Sequence, residues 1–176
     1  EDGINYMFWG SFQGIYATML EDDGLSVKRS NDGKPLLLNQ ICGKKFEATC
    51  IYKRGDYYYL FASVGSCCAG PESTYRVVVG RSKKLLGPYV DQNGGEMLNN
   101  QYREVVKGNS KWAGPGHNSI IIKDDAGTEW MIYHGRWKAN DAGRFVLLDR
   151  LLWTDDDWPY VKGLAPSEED LIPIIE

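Results

Sequence analysis

At 176 residues the chain is long enough for one domain with a sizeable core. Its formal net charge of -4, with no clustered Lys and Arg, argues against a nucleic-acid partner held through phosphates. Apolar runs such as Ile120 to Ile122 fall far short of the roughly 20 residues needed to cross a bilayer, and the N-terminus carries no signal-peptide pattern. The expectation is a protein with neither a nucleic-acid nor a membrane partner.

The first residues, Glu1-Asp2-Gly3, read as a turn leading into a strand, as if the chain began inside a domain. Aromatic and β-branched residues then recur in short runs bounded by Gly, Asp, Asn and Pro, and no window of a dozen residues keeps a helical apolar period. Strands are expected at Ile4 to Trp9, Gly14 to Leu20, Glu47 to Tyr52 and Tyr57 to Ser63. Further strands are expected at Tyr75 to Ser82, Asn118 to Lys123, Glu129 to His134 and Phe145 to Trp153. The fold class is therefore all-β, and residues 1–176 read as one domain.

Three of these strands share a pattern: a polar turn with glycine, an aromatic-rich strand, then small or polar residues. The copies open at Gly3, Gly55 and Gly127 and continue as Ile4 to Ser11, Tyr57 to Ser63 and Glu129 to Gly135. Spacings of roughly 50 to 70 residues suit four-stranded propeller blades with variable loops, each copy being the second strand of a blade. Three copies make an incomplete ring of about three blades, whose open sheet edges need partners. A β-sandwich also has short strands at regular spacing, so it stays open as the competing architecture.

Four cysteines, Cys42, Cys50, Cys67 and Cys68, are too few for a disulfide scaffold and lack the paired spacing of a zinc site. The adjacent Cys67 and Cys68 could form a vicinal bridge, but free, partly buried thiols are the expectation from the burial habits of cysteine.

A glycosidase needs two carboxyl groups across the scissile bond, one protonated and one ionised. Glu47 follows Phe46 and opens a strand containing Cys50, Ile51 and Tyr52. Such apolar surroundings favour the protonated form of a carboxyl, as a general acid requires. A glutamate at a strand start is ordinarily a surface residue, so the wider motif has to decide.

Phe46-Glu47-Ala48-Thr49, Tyr57 to Ser63, Cys67-Cys68-Ala69-Gly70, Ser73 to Ser82, Gly87 to Asp91, Gly114 to Ser119 and Trp153 to Pro159 follow one another in order. Together they resemble the arabinanases of glycoside hydrolase family 43 over nearly the whole chain. Thr49 departs from the pattern, since the acid motif of the family more often has proline there.

The resemblance implies a five-bladed β-propeller, present here without its N-terminal blades, and hydrolysis of α-1,5-linked arabinan with inversion. It implies Glu47 as general acid, with an aspartate base and a second, acid-orienting aspartate both upstream of Glu1, so the isolated segment is expected to be inactive. His117 in Gly-Pro-Gly-His would lie at the propeller axis on a calcium ion completed largely by water. Trp9, Ser11, Phe12, Cys67 and Cys68 would line the substrate pocket, with an aromatic face and small hydroxyls suiting a furanose ring. His134 and most of the remaining tryptophans are expected in the core or at its rim. Polysaccharide hydrolysis implies a secreted, periplasmic or cell-surface location. The alternatives are an exo-acting α-L-arabinofuranosidase or β-xylosidase on the same fold, or a non-catalytic carbohydrate-binding propeller.

Overall fold

A computed structural model describes residues 2–140 and 142–176. Among them there is no α-helix, only strands, turns and three short 3-10 turns at Gly70–Glu72, Met97–Asn99 and Lys162–Leu164. Asp2 and Gly3 form the turn expected ahead of the first strand, while Glu1 lies outside the described residues.

Sheet one holds β1 (Tyr6–Trp9), β2 (Ile15–Met19) and β3 (Asn39–Cys42), in that order. Sheet two is an antiparallel meander of β4 (Glu47–Arg54), β5 (Tyr57–Val64), β6 (Arg76–Ser82) and β7 (Arg103–Val106). Sheet three holds β8 (Trp112–Gly116), β9 (Ile121–Lys123), β10 (Glu129–Trp137) and β11 (Phe145–Arg150), with both β8 and β9 paired to β10. A ribbon of β12 (Leu152–Trp153) and β13 (Pro159–Tyr160) follows. None of these sheets closes on itself.

All eight expected strand regions contain strands, with shifted limits. Residues 118 to 120 precede β9, Tyr75 precedes β6, β10 runs on to Trp137, and Phe145 to Trp153 breaks at Leu151 into β11 and β12. Strands β3, β7, β8 and β13 were not expected. The β8 sequence Trp-Ala-Gly-Pro-Gly is the clearest case: two glycines and a proline read as a turn, yet its residues are buried against β10. Of the three repeat copies, β5 and β10 each have a strand on both sides, whereas β1 lies at the edge of sheet one.

The core explains how the sheets stack. Strand β5 (Tyr-Tyr-Tyr-Leu-Phe-Ala-Ser-Val) is buried almost throughout. Side chains alternate across a strand, so Tyr58, Leu60, Ala62 and Val64 point to one face and Tyr59 and Phe61 to the other. The first set packs with Ile15, Ala17, Ile41 and Phe46 around sheet one. The second packs with Met131, Tyr133, Leu151 and Trp158 from sheet three and the ribbon. Sheet two therefore lies between the other two, covered on both faces. Each large side chain so buried contributes about 1.5–3 kcal/mol, and no other strand serves both cores with so many.

Glu129, at the start of β10 and 7% exposed, ties the layers together. It accepts hydrogen bonds from the Tyr52 hydroxyl of sheet two and the Trp153 indole N–H of the ribbon. Arg54 Nε lies 3.7 Å and Lys123 Nζ 3.4 Å from its oxygens. The Arg54 guanidinium also sits 4.3 Å over the Trp153 ring and pairs with Asp157. Removing the carboxylate strands two half-buried donors and uncouples two cations. Glu129→Ala is therefore expected to lower unfolding stability by about 3 kcal/mol, read from chemical denaturation at neutral pH.

Candidate active site

The site forms where loops from three sheets meet at one end of β4. Its first carboxylate is Glu47, half-buried, at the start of that strand. The ladder to β5 shifts register between Glu47 and Cys50, and Ala48 inside the shift has φ 57°. Thr49, where the sequence departs from the acid motif, lies inside this bulge, which re-aims the side chain of Glu47 relative to a regular strand.

Two hydroxyls meet the carboxylate. Ser11 Oγ donates to Oε2 at 2.8 Å, and the Tyr75 hydroxyl donates to Oε1 at 2.5 Å. Ser11 reaches Glu47 because the loop after β1 is pinned: the Phe12 backbone N–H donates to the Phe46 carbonyl at 2.9 Å. Gly10 makes that loop possible, since it has φ 139° and a Cβ there would lie 2.0 Å from the Gly14 carbonyl oxygen.

Tyr75 is 1% exposed, and burial, followed by the neighbouring Glu47 carboxylate, pushes its phenol pKa up. It therefore stays protonated and serves as a donor. Its ring stacks on His134 at 5.9 Å and 19°, and His134 stacks in turn on His117 at 6.2 Å and 26°. The His117 ring Nδ1 lies 3.5 Å from the Tyr75 hydroxyl, and the His117 backbone N–H donates to Ser63 Oγ at 2.8 Å. Gly116 lets the rings approach: a Cβ there would stand 2.2 Å from Tyr75 Cδ1.

The expected residues fall into two groups. Glu47, Ser11 and His117 come together in one cluster with Tyr75, which sequence reading placed only at the start of a strand. Trp9 and Phe12 lie on the exposed side of the same loop, each 38% exposed, with Trp9 against Tyr16 at 5.9 Å. Cys67 and Cys68 are joined as a vicinal disulfide, which corrects the expectation of free thiols. They sit in a bend in which Cys67 is half-buried and Cys68 exposed, and the correction concerns their bonding; Cys42 and Cys50 are the free cysteines. Arg144 was not foreseen. It donates to the Cys67 carbonyl at 3.2 Å and lies 3.5 Å from Cys68 Sγ, close enough that its charge acts on both Tyr75 and His134.

His134 is more than a rim residue, since it forms the middle of the stack. Trp130, Trp158 and Trp112 are buried as expected for core tryptophans. For calcium, the described residues hold no group of three or more His, Cys, Asp or Glu able to surround an ion. A single imidazole does not by itself fit an ion that takes six to eight oxygens, so no chemistry is routed through it.

A hollow of about 880 Å3 is distinct from this cluster. It starts two residues along β4 from Glu47, at Thr49 to Ile51, and is also lined by Phe8 of β1 and by Asn118 to Ile120 after β8. The chemistry is assigned to the Glu47 cluster because converging polar groups, and not volume, define a reactive site.

Residues 1–159 match the family described as "Glycosyl hydrolases family 43". The chain belongs to glycosyl hydrolase family 43. Among its curated relatives, the extracellular exo-α-(1→5)-L-arabinofuranosidase of Cellvibrio japonicus is 40% identical over 123 residues, covering 70% of this chain and 35% of that protein. The extracellular endo-α-(1→5)-L-arabinanase 1 of Bacillus subtilis is 33% identical over 161 residues, covering 90% of this chain and 47% of its own length. Among solved structures, the α-L-arabinanase of Cellvibrio cellulosa complexed with arabinohexaose superposes with a TM-score of 0.75 at 34% identity. That match covers 90% of this chain and 53% of the other. An exo-1,5-α-L-arabinanase from a bovine ruminal metagenomic library gives a TM-score of 0.81 at 31% identity, covering 92% and 53%. This family 43 chain thus spans about a third to a half of the length of these proteins, and shares an all-β fold with them.

Burial first, then the charges of Arg144, His117 and Arg136, lower the His134 pKa to about 4. The unfolded imidazole takes its proton near pH 6.5, so the unfolded state binds more protons between those values. The contribution of His134 to stability is whole above about pH 6.5 and is lost progressively as the pH falls toward 4. Denaturation series across this window, in the parent and in His134→Gln, should show the acid-side slope reduced in the variant.

Proposed function

We propose that this chain supplies the general acid, Glu47, of an inverting hydrolase that cleaves α-1,5-L-arabinofuranosidic bonds in arabinan. The observation that carries the reading is the Glu47 carboxylate, fixed by Ser11 and Tyr75 at an accessible junction of three sheets in a family 43 chain. Its named relatives include both an endo-arabinanase and an exo-arabinofuranosidase.

In this reading the bond from the anomeric carbon to the leaving oxygen breaks while Glu47 gives that oxygen its proton. A water oxygen attacks the same carbon from the opposite face, and its proton passes to a carboxylate base. The groups that meet Glu47 here are hydroxyls and, one step away, imidazoles. The base and an acid-orienting carboxylate are assigned to polypeptide outside residues 1–176, within the part of the relatives that this chain does not cover. Trp9, Phe12 and the Cys67-Cys68 loop are assigned to the binding of the sugar. A calcium ion at His117 would need all of its oxygen ligands from water or from further polypeptide, and its place would be structural or electrostatic.

The proposed architecture is a five-bladed propeller of which sheets one to three are consecutive blades. Support comes from the stacking of sheet two between its neighbours and from the two outer sheets. Strand β1 pairs only with β2 among the described residues; it exposes Met7 and Trp9 on one face and lines the 880 Å3 hollow with Phe8 on the other. Among the described residues strand β11 pairs only with β10, and it exposes Phe145, Val146 and Leu148. Apolar rims of this kind suit further polypeptide packed at both ends. A secreted or surface location is proposed from the relatives, three of which are named extracellular enzymes.

The purified 176-residue chain should release no arabinose or arabino-oligosaccharide from linear arabinan, since it lacks a positioned base; release would contradict the division of labour. In the complete polypeptide, Glu47→Gln should reduce turnover by about 10²- to 10⁴-fold with an unchanged circular dichroism spectrum. The 40% identity to an exo-acting enzyme favours a second reading, release of sugars from chain ends. The product pattern separates the two: a ladder of oligosaccharides supports internal cleavage, and a single small product supports terminal release.

A further inference from the structure

We infer that Tyr75 is a positioning residue of the general acid: it holds Glu47 in place and stabilises the carboxylate that forms as the proton leaves. The inference rests on the reading of Glu47 given above, and Tyr75 touches neither sugar nor water in it.

Three observations lead here. The phenol is nearly inaccessible, yet its hydroxyl points at Glu47 Oε1 at 2.5 Å. Its ring is held on one side by the His134 face and at its edge by Gly116, where even a methyl group would collide with it. The hydroxyl also has a second neighbour, His117 Nδ1 at 3.5 Å. A side chain immobilised by packing, with one short bond to a reacting group, is what precise orientation of that group demands.

The chemistry gives the bond a direction. A phenol O–H is a better donor to a carboxylate than to a neutral carboxylic acid, because bonds to charged acceptors are the stronger ones. Before reaction Glu47 holds its proton, and the bond from Tyr75 is a neutral one. As that proton moves to the leaving oxygen, negative charge grows on Glu47 and the same bond strengthens. An interaction that is stronger in the transition state than in the ground state lowers the barrier instead of merely tightening binding. Ser11 makes the matching bond on Oε2 from the exposed loop after β1.

The test is made in the complete polypeptide with Tyr75→Phe, which keeps the ring and deletes only the hydroxyl. Substrates are aryl arabino-oligosaccharides with a poor and a good leaving group, together with arabinan. Turnover on arabinan and on the poor leaving group should fall about 10- to 100-fold, while KM stays within about twofold. A dinitrophenyl leaving group departs without a proton, so there the loss should shrink to about twofold. Gly116→Ala, which displaces the ring without removing the hydroxyl, should show the same dependence on leaving group. Melting curves of each variant check that the fold is kept.

Equal losses with both leaving groups would overturn the inference, since they would mark a general structural role. So would wild-type rates for Tyr75→Phe in a protein where Glu47→Gln abolishes turnover. Full turnover in Glu47→Gln would instead overturn the reading of Glu47 as the acid, on which this inference stands.

Discussion

The constraint on which the rest of the structure depends is that β5 has no solvent face. Its alternate residues belong to two different cores, so the strand acts as a partition between sheet one and sheet three. Because both neighbours pack directly on sheet two, the loop after β1, the start of β4 and the end of β8 converge at one edge. Ser11, Glu47 and His117 come from those three places. The site is thus a by-product of stacking, and its precision derives from two cores that leave sheet two little freedom to shift.

Polar ties complete what apolar stacking begins. Glu129 gathers donors from sheet two and the ribbon around one buried carboxylate, far from the reacting end. A buried charge satisfied on several sides is costly to create and costlier to break. It fixes how the layers are rotated against one another, a property that non-directional hydrophobic contact leaves loosely defined. At the other end the Tyr75, His134 and His117 stack has the same logic with aromatic rings in place of charges.

Strands rich in aromatic and β-branched residues, such as β5 and β10, were legible in the sequence because their patterning matches their burial. Strand β8 was not, because its glycines serve close approach of the Tyr75 ring and of Ser73, a tertiary demand that looks like a turn in one dimension. Glu47 could be singled out through the order of motifs around it, and Ser11 through its place after an aromatic strand. Tyr75 and Arg144 carried no such signal. The bond from Tyr75 to Glu47 spans 28 residues and that from Arg144 to Cys67 spans 77, so each exists only once the sheets have packed. The cysteine pair misled for a related reason: general burial habits say nothing about a bend that brings two neighbouring sulfurs together.

That vicinal bond differs in kind from most disulfides. A bridge between distant residues stabilises by shortening the unfolded chain, and the effect grows with the loop it closes. A bridge between neighbours closes almost nothing, so it adds little to the free energy of the whole fold. What it does is stiffen a single link of the loop to which Arg144 is fastened. Oxidation state and global stability are therefore nearly independent here: oxidation would stiffen the loop that Arg144 grips without making the protein measurably harder to unfold.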